Sequence, residues 1–502
     1  MSGAEPFGRR RLLGGAAGLV MTAYAAPSWA QAVVSTVTAT DGVYRSHGAS
    51  GNNMIMASAY SGIRYARAER FRAPVAVLSA EQPFAEQFGP ACPQAGDRYQ
   101  PQSEDCLFLN VWTPTAAAKK PRAVMVYFHG GAYSSGSVTD PLNDGAFLAW
   151  RGDVVVVTVN HRLNALGYLY LPERFPDSGN AGQLDLILAL KWVQRNIAAF
   201  GGNPGNVTVF GQSGGGAKIA TLMAMPAAAG LFHKAITMSG QQVTASGPLN
   251  AAKRAAVFLD KLGKGVDPAT APVGELVAAL SATDPIIGGN VYMGPVLDMK
   301  NLTRHPFWPD PAPQSLGIPM MLGNTVMETR AFYAADGKQL GGLTSDNLAV
   351  RIGPEMRVDI DPVWVVAQFR ARYPGAQPLE LFHRIVTAAR SWRGQVEEAE
   401  ARARAGAPAY VYQLDYMDAK HADDIALVFG TGPDQSTCKH QLSAAMMAAF
   451  ARFAKTGDPG WAPYDLKKRR TMIFDAYARV EDNPRAWERE LFARVPYIQP
   501  GS

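Results

Sequence analysis

The pentapeptide Gly211-Gln212-Ser213-Gly214-Gly215 constrains the fold of this chain more than any other segment. It follows a strand-like run of β-branched and apolar residues, 207–210, and leads into a helix-like run, 217–225. A serine between glycines at a strand–turn–helix junction is the signature of a nucleophile elbow. The turn needs minimal side chains on both sides, and it holds the hydroxyl at the end of the sheet, beside the free N–H groups of a helix N-terminus. We therefore predict that Ser213 is a nucleophile at the carboxyl end of a buried strand.

The first 32 residues have the features of an export signal. Arg9-Arg10-Arg11 precedes an apolar stretch, 12–26, and Ala30-Gln31-Ala32 forms an A-x-A cleavage signal. Paired arginines followed by leucines are typical of bacterial twin-arginine signals. The apolar stretch is shorter than the ~20 residues that span a bilayer, so we expect no stable membrane anchor. We predict cleavage after Ala30 or Ala32 and a periplasmic or secreted mature protein.

Charge and composition are those of a globular enzyme. The chain is 47% hydrophobic and 18% charged, with a formal net charge of +6 that falls to about +4 without the leader. The charges are scattered, apart from the run Lys467-Lys468-Arg469-Arg470. We interpret that run as a solvated loop; an anionic-surface or nucleic-acid patch is the alternative. No nucleic-acid partner is expected.

Short apolar runs and longer amphipathic runs alternate along the body of the chain. Eight runs predict strands: 107–112, 123–128, 154–159, 207–210, 234–238, 318–322, 409–414 and 471–474. Residues 184–197 predict an amphipathic helix, and strands that are apolar throughout indicate a sheet covered on both faces. We predict an α/β fold with a large, mostly parallel central sheet in one domain, 33–502. Two mostly helical excursions, 249–313 and 361–405, are expected to cap it.

Several motifs together resemble one family. His129-Gly130-Gly131 follows a predicted strand, as the H-G-G motif of esterases and lipases does, and the string from Ser103 to Asn110 resembles the second signature of type-B carboxylesterases. Further stretches match that family in order, at residues 61–66, 160–163, 179–185, 196–210 and 455–459. The resemblance extends from about Val37 to Phe474. It implies the α/β-hydrolase fold and the hydrolysis of carboxylic esters.

The mechanism of such a fold requires a histidine and an acid after Ser213 in the chain. His421 begins a segment, 421–430, that resembles the catalytic-histidine segment of the family, although Asp424 stands where the family usually has Glu. His440 is the alternative candidate for the catalytic histidine. Glu328 aligns with the acid of the family's G-x-N-x-x-E-G loop, in which this chain has Met327 for Asp and Thr329 for Gly. The resemblance implies a triad of Ser213, Glu328 and His421.

Backbone donors and supporting residues follow from the same motifs. The N–H groups of Gly130, Gly131 and Gly214 are expected to form the oxyanion hole. The family more often has Ala after the nucleophile, so Gly214 is expected to leave extra room beside the acyl group. Ser239 matches a serine that supports the acid and the histidine. Lys218 is expected to face solvent or a carboxylate, the alternative being recognition of an acidic substrate group.

Three cysteines fit an exported protein. Cys92 and Cys106 bracket a short polar loop and are predicted to form a disulfide after export. Cys438 is expected to be a buried apolar residue without a partner.

Together these features predict a serine hydrolase that cleaves small-molecule carboxylic esters through an acyl-enzyme. Alternatives are an amidase, lactonase or acyltransferase with the same triad, since one fold hosts many chemistries, and a non-catalytic adhesion module. The adhesion module is disfavoured because such proteins typically lack the nucleophile or the histidine. The sequence contains no nucleotide, metal-ligand or haem motif, so no cofactor and no metal are expected.

Overall fold

The computed structural model describes residues 35–51, 54–79, 87–114, 120–335, 337, 339–432 and 437–499. The predicted export signal, residues 1–32, lies outside the described residues. The described strands are β1 Thr36–Ala39, β2 Gly42–Arg45, β3 His47–Gly51, β4 Met54–Arg64, β5 Ala66–Arg67, β6 Val75–Ala76, β7 Phe108–Pro114, β8 Arg122–Phe128, β9 Val155–Val159, β10 Gly202–Gln212, β11 Lys234–Met238, β12 Met320–Thr325, β13 Ala409–Leu414, β14 Thr471–Phe474 and β15 Arg479–Glu481.

Eleven of these strands form one sheet, in the order β15-β14-β13-β12-β11-β10-β8-β9-β7-β4-β3. The strands from β14 to β9 in that order are parallel, and the strands at both edges pair antiparallel. All eight strands predicted from the sequence belong to this sheet. The prediction of a large, mostly parallel central sheet is therefore confirmed.

Helices cover both faces of the sheet. The described α-helices are α1 Ala146–Gly152, α2 Asn164–Tyr168, α3 Ala181–Asn196, α4 Gly214–Leu222, α5 Pro248–Leu262, α6 Val273–Ala279, α7 Leu348–Ile352, α8 Pro362–Arg372, α9 Pro378–Ala389, α10 Ser391–Arg404, α11 Asp423–Phe429, α12 Thr437–Thr456 and α13 Ala486–Phe492. The second predicted excursion is helical, as α8, α9 and α10. The first is helical only in α5 and α6.

Irregular backbone occupies residues 280–312, where the sequence suggested more helix. Prolines explain the difference, because each lacks the N–H that a helix interior needs. They stand at positions 285, 295, 306, 309 and 311. Val291, Met293 and Leu302 of this segment are nevertheless buried in the core. These residues are apolar because they are buried, and they do not form the apolar face of a helix.

The sheet separates two hydrophobic clusters, and β8 shows how a strand serves both. Val124 and Val126 belong to one cluster, whereas Met125 and Tyr127 belong to the other. This alternation follows from the two-residue repeat of a strand, whose successive side chains point to opposite faces. All seven residues of β8 are buried. The uninterrupted apolar runs in the sequence are therefore the signature of a strand buried on both faces.

Several motifs quoted above for the family resemblance build the scaffold. Arg162, after β9, and Asp185, on α3, form a buried ion pair, with contacts of 2.9 Å from Nε to Oδ2 and 2.6 Å from Nη2 to Oδ1. The backbone N–H of Arg162 donates to the same carboxylate at 3.0 Å. A buried charge is tolerated when it is paired and hydrogen-bonded in this way. This pair joins the end of β9 to α3.

The cysteines are placed differently from one another. Cys92 and Cys106 are buried neighbours and both are free thiols in the structure. A hydrogen bond to Cys92, followed by burial, raises the pKa of Cys106 well above its ordinary value. The predicted disulfide between them stays a prediction. Cys438 is exposed on α12, so the expectation that it is buried is wrong.

Three of the four residues in the basic run 467–470 form ion pairs with carboxylates. Lys468 lies 3.4 Å from Asp482, and Arg469 lies 3.0 Å from Glu400. Arg470 lies 3.7 Å from Asp465. Much of the positive charge of this run is therefore matched by nearby carboxylates. Among the described helices, none is long and apolar enough to cross a membrane.

Candidate active site

Ser213 sits in a strained turn between β10 and α4. Its backbone has φ 55° and ψ −122°, a conformation that is costly for a residue with a side chain. Its N–H donates to the carbonyl of Met238, at the end of β11, at 2.7 Å. A side chain at Gly215 would place its Cβ 1.9 Å from the carbonyl oxygen of Phe128. The glycine next to the elbow is thus required by the close approach of β8.

Glu328 follows β12 and is completely buried. Its Oε1 accepts hydrogen bonds from Ser239 Oγ at 2.6 Å and from the N–H of Thr325 at 2.7 Å. Its Oε2 contacts Nδ1 of His421. Donors at the ends of two neighbouring strands therefore hold the carboxylate against the imidazole. One of these donors is Ser239, which the sequence motifs predicted to support the acid.

His421 follows β13 and is oriented by both its backbone and its ring. Its N–H donates to the carbonyl of Glu328 at 3.3 Å, and the next residue, Ala422, has a left-handed φ of 74°. The ring centroid lies 4.7 Å from that of Phe332. Because a carboxylate oxygen only accepts, the proton of the neutral ring lies on Nδ1 and Nε2 is an acceptor. This is the tautomer that a general base needs.

The side-chain amide of Gln212 is hydrogen-bonded to Nε2 of His421. Its Nε2 lies 3.1 Å from Nε2 of His421. In the described part of the chain, the hydroxyl of Ser213 has no hydrogen-bond partner. The structure thus brings Glu328 and His421 into contact in the cavity that Ser213 also lines, and the Gln212 amide is bonded to the ring nitrogen that Glu328 leaves free. Sequence reasoning gave Gln212 no role, because the middle positions of the pentapeptide motif are unspecified.

The three expected oxyanion donors lie around Ser213. A Cβ on Gly130 would fall 3.3 Å from Cβ of Ser213. Within the described residues, the N–H groups of Gly130 and Gly131 make no hydrogen bond, and the N–H of Gly214 is the first of α4, which has no partner inside the helix. These N–H groups can therefore donate to a charged oxygen without breaking an existing hydrogen bond.

Gly214 does not leave extra room beside the acyl group, contrary to the expectation from its small size. A Cβ at this position would lie 2.0 Å from the carbonyl oxygen of Ala132. Backbone of the loop after β8 fills the space that an alanine would need. The elbow and the H-G-G loop are closer here than the sequence suggested.

Lys218 neither faces solvent nor pairs with a carboxylate, so both sequence expectations are wrong. It is completely buried on α4, and its Nζ donates to the carbonyl oxygen of His129 at 3.1 Å. Burial lowers the pKa of Lys218 to about 7. It does not line the active-site cavity either, so it does not support recognition of an acidic substrate group.

Two of the departures from the family pattern, Thr329 and Asp424, are buried and hydrogen-bonded. Thr329 is buried, and its hydroxyl lies 3.0 Å from that of Thr387 on α9. Asp424 is buried and accepts a hydrogen bond from the hydroxyl of Tyr412 at 3.0 Å. Burial, and then the nearby charge of Glu328, raise the pKa of Asp424 to about 7. His440 is exposed on α12 and does not line the site.

Ser213 and His421 open into one cavity of about 690 Å³. Part of its lining comes from segments 94–102 and 140–143. Further lining residues come from later parts of the chain: Gln241, Tyr292, Phe332, Arg390, Ser391 and Gln499. Phe332 is one of the aromatic residues that line the cavity, whereas Tyr133 and Phe429 belong to the core. The described residues contain no cluster of three or more His, Cys, Asp or Glu that could hold a metal ion.

Comparisons with known proteins find relatives over most of the chain. The family model described as "Carboxylesterase family" matches residues 34–491. The para-nitrobenzyl esterase of Bacillus subtilis is 35% identical over 474 residues, which cover 86% of this chain and 94% of that protein.

Two further proteins are similar over most of their length. The carboxylesterase of Geobacillus stearothermophilus, solved at pH 6.2, superimposes with a TM-score of 0.79 and 32% identity, covering 91% of this chain and 99% of that one. A protein of Rhodococcus erythropolis named as a probable N-octanoylanthranilate hydrolase is 34% identical over 468 residues, covering 86% of this chain and 96% of that protein.

Proposed function

The chain belongs to the carboxylesterase family, and we propose that it hydrolyses carboxylic esters through an acyl-enzyme formed on Ser213. The proposal assigns the general base to His421 and the orienting carboxylate to Glu328. The observation that carries it is the contact between Oε2 of Glu328 and Nδ1 of His421, whose ring lines the same cavity as Ser213. This contact fixes the tautomer that can remove a proton from a serine hydroxyl.

Acylation begins when an ester carbonyl enters the cavity with its oxygen toward the N–H groups of Gly130, Gly131 and Gly214. Nε2 of His421 leaves the amide of Gln212 and takes the proton of Ser213 as Oγ attacks the carbonyl carbon. Negative charge develops on the carbonyl oxygen, where the three backbone donors stabilise it. The protonated imidazole is stabilised in turn by Glu328, which does not exchange a proton. His421 then gives its proton to the departing alcohol oxygen, and the C–O bond breaks.

Deacylation repeats these steps with water. His421 removes a proton from a water molecule, which attacks the acyl carbon, and the oxyanion forms again in the same place. The imidazole returns its proton to Oγ as the serine leaves, and the carboxylic acid is released. The same donors and the same base thus serve both halves of the reaction, so the site needs no second catalytic group.

Covalent labelling and a serine substitution test this function. An organophosphate should attach to Ser213 with one equivalent bound per chain, as located by mass spectrometry of the digested protein. Ser213→Ala should fold normally and lose turnover of p-nitrophenyl esters by a factor on the order of a million, as removal of a triad serine does elsewhere. Ser281→Ala changes an exposed serine that does not line the cavity. It is the matched control and should stay within about threefold of wild type. Labelling at another residue, or turnover that persists in Ser213→Ala, contradicts the assignment.

Amide hydrolysis is the second candidate, because one relative is named as a probable hydrolase of an N-acylated anthranilate. The two activities use the same triad but differ in the leaving group, since an amine needs its proton before the bond breaks. Matched substrates separate them: p-nitrophenyl octanoate and the p-nitroanilide of octanoic acid have the same acyl chain. We expect the ester to be the better substrate in kcat/KM. A preference for the anilide would make the protein an amidase.

We further propose that the protein is exported by the twin-arginine route. The support is the run Arg9-Arg10-Arg11, the apolar stretch that follows it and the A-x-A signal ending at Ala32. Replacing the three arginines by lysine should retain the uncleaved chain in the cytoplasm of an expressing bacterium. Fractionation followed by immunoblotting measures this, and export of the triple variant contradicts the proposal.

A further inference from the structure

Lys218 is a buried lysine without a carboxylate partner among the described residues. Removing an amine from water without a counterion costs free energy, and the lowered pKa of about 7 reflects that burial. Most buried polar groups in folded proteins have a partner that explains their presence. The partner of this one is the backbone of the oxyanion loop.

Nζ of Lys218 donates to the carbonyl oxygen of His129 at 3.1 Å, and it lies 5.6 Å from the centre of the Tyr133 ring. The carbonyl of His129 and the N–H of Gly130 belong to the same peptide group. Because hydrogen bonds in a chain polarise one another, a donor at the peptide oxygen makes the N–H of that peptide a stronger donor. Lys218 therefore acts on the group that Gly130 offers to the substrate.

The next peptide group is held in the same way. Nδ1 of His129 lies 2.9 Å from the carbonyl oxygen of Gly130, which shares its peptide group with the N–H of Gly131. A carbonyl oxygen only accepts, so Nδ1 carries the proton. Burial, and then the charge of Lys218, lower the pKa of His129 to about 3, so its ring is neutral. Both peptides of the oxyanion loop are thus bound at their oxygens, and in a trans peptide the N–H points the opposite way.

Lys218 also joins the two parts of the site. It lies on α4, which begins at Gly214, whereas His129 and Gly130 follow β8. The Nζ contact therefore crosses from the helix that carries one oxyanion donor to the loop that carries the other two. A movement of the loop relative to the elbow would have to break it.

We propose that Lys218 is a positioning residue of the oxyanion hole, which fixes and polarises the His129–Gly130 peptide. The inference rests on the serine-esterase function proposed above. Lys218 touches neither the substrate nor Ser213, and it acts through the N–H of Gly130.

Loss of the Lys218 amine should weaken binding of the transition state and leave binding of the substrate unchanged. Loss of a complete oxyanion donor costs about 10²–10³-fold in kcat in other hydrolases. Lys218→Met keeps the N–H of Gly130 but removes its support, so kcat should fall by roughly 10–100-fold. KM should change by less than about threefold, because the charged oxygen is absent from the bound substrate. Lys218→Gln restores a neutral donor, and it should recover a large part of kcat.

A trifluoromethyl ketone inhibitor separates this role from simple packing. Its hemiketal with Ser213 places a charged oxygen in the hole, so the inhibition constant should rise in Lys218→Met by the factor that kcat/KM falls. Lys234→Met is the control, because Lys234 is also buried but lies at the opposite end of β11 from Ser239 and hydrogen-bonds to Asn206. It should change thermal stability without changing kcat or inhibitor affinity.

The outcomes distinguish this inference from the proposed function. Organophosphate labelling of wild type at Ser213 establishes the function independently of Lys218. If labelling succeeds and Lys218→Met keeps kcat within about threefold, the role of Lys218 is wrong while the esterase stands. A fall in kcat with unchanged inhibitor affinity also overturns it. If Lys218→Met does not fold, Lys218→Gln carries the test. Its loss of kcat/KM should be smaller than that expected for Lys218→Met, because a neutral donor polarises the peptide less than an ammonium group does, and its inhibition constant should rise by the same factor. A loss of kcat/KM with unchanged inhibitor affinity in this variant overturns the inference.

Discussion

Gln212 and His421 are joined through their side chains, with Nε2 of the amide 3.1 Å from Nε2 of the imidazole. Since Nδ1 of the same ring is committed to Glu328, the amide occupies the only acceptor that the ring can offer to Ser213. The free protein therefore has its base in the right tautomer but bonded to a neighbour of the nucleophile.

Removing that amide should free the base. Gln212→Met has a similar length and no donor, so Ser213 no longer competes for Nε2 of His421. A hydrogen bond of this kind is worth about 1 kcal/mol net, so inactivation of the free enzyme by a small organophosphate should accelerate by roughly fivefold. The second-order rate constant of inactivation measures this. Slower inactivation would mean that the amide supports the ring instead of competing for it.

Substitutions at the acid and the two downstream histidines should separate their roles. His421→Ala should be nearly as damaging to kcat as Ser213→Ala. Glu328→Gln should lower kcat by about 10⁴-fold, because an amide can hold the wrong tautomer of the ring. His440→Ala changes an exposed histidine outside the site and is the control. Near-normal turnover in Glu328→Gln would move the role of the acid to another carboxylate.

Gly214→Ala should lower activity strongly, although it adds only one methyl group. The added Cβ would lie 2.0 Å from the carbonyl oxygen of Ala132, so the loop after β8 has to move away from the elbow. Gly317→Ala is the control, because a Cβ there meets no atom within 4 Å. We expect esterase assays to show a loss of at least about 100-fold in kcat for Gly214→Ala. An active Gly214→Ala would show that this contact relaxes at little cost.

The buried carboxyl of Asp424 should make stability depend on pH. Its pKa is about 7 in the folded protein and near 3.8 in the unfolded chain, so the folded state holds a proton that the unfolded state releases. The contribution of this carboxyl to the free energy of unfolding is therefore fully present below pH 4. It is lost as the pH rises toward 7, and the loss is at most about 4 kcal/mol.

Asp424→Asn should remove this dependence, because an amide does not ionise. Melting temperatures across pH 5 to 8 should fall less in the variant than in wild type. Asp423→Asn changes the neighbouring exposed residue and should follow wild type. Parallel curves for Asp424→Asn and wild type would show that Asp424 does not control the pH dependence.

Protein recovered after export should contain a bridge between Cys92 and Cys106, which are buried neighbours. A bridge that closes about 15 residues stabilises by roughly 3 kcal/mol on the chain-entropy model. Cys92→Ser should therefore lower the melting temperature by a few degrees and leave kcat unchanged. Exposed Cys438 should react with iodoacetamide in the folded protein. Mass spectrometry that finds Cys438 bridged to either of the others contradicts the pairing.

Sequence patterns predicted the centre of the fold better than its margins. Strands β8 and β9 are buried on both faces, so their apolar runs are unambiguous. Strand β15 was not predicted, since it is a three-residue edge strand with little burial. The segment 280–312 was assigned too much helix, because burial of Val291 and Leu302 produces apolar positions without helical periodicity.

For the candidate site, too, the sequence predicted some residues and missed the roles of others. Ser213, Glu328 and His421 lie in local motifs whose spacing carries their chemistry. The contacts of Lys218 and Gln212 cross 89 and 209 positions of the chain, and no local pattern encodes a partner at that distance. Lys218 was expected at the surface because lysine is seldom buried, and its burial depends on a carbonyl that another strand supplies.

Much of the cavity lining comes from segments that contribute none of the three proposed catalytic side chains. Residues 94–102 contribute to this lining, as do Arg390, Ser391 and Gln499, whereas Ser213, Glu328 and His421 follow the ends of β10, β12 and β13. Under the proposed mechanism, substrate selectivity and reactivity are therefore expected to be encoded in different stretches of the polypeptide. Such a division makes the scaffold evolvable: insertions or recombined loops can exchange one ester for another while the reacting atoms keep their places.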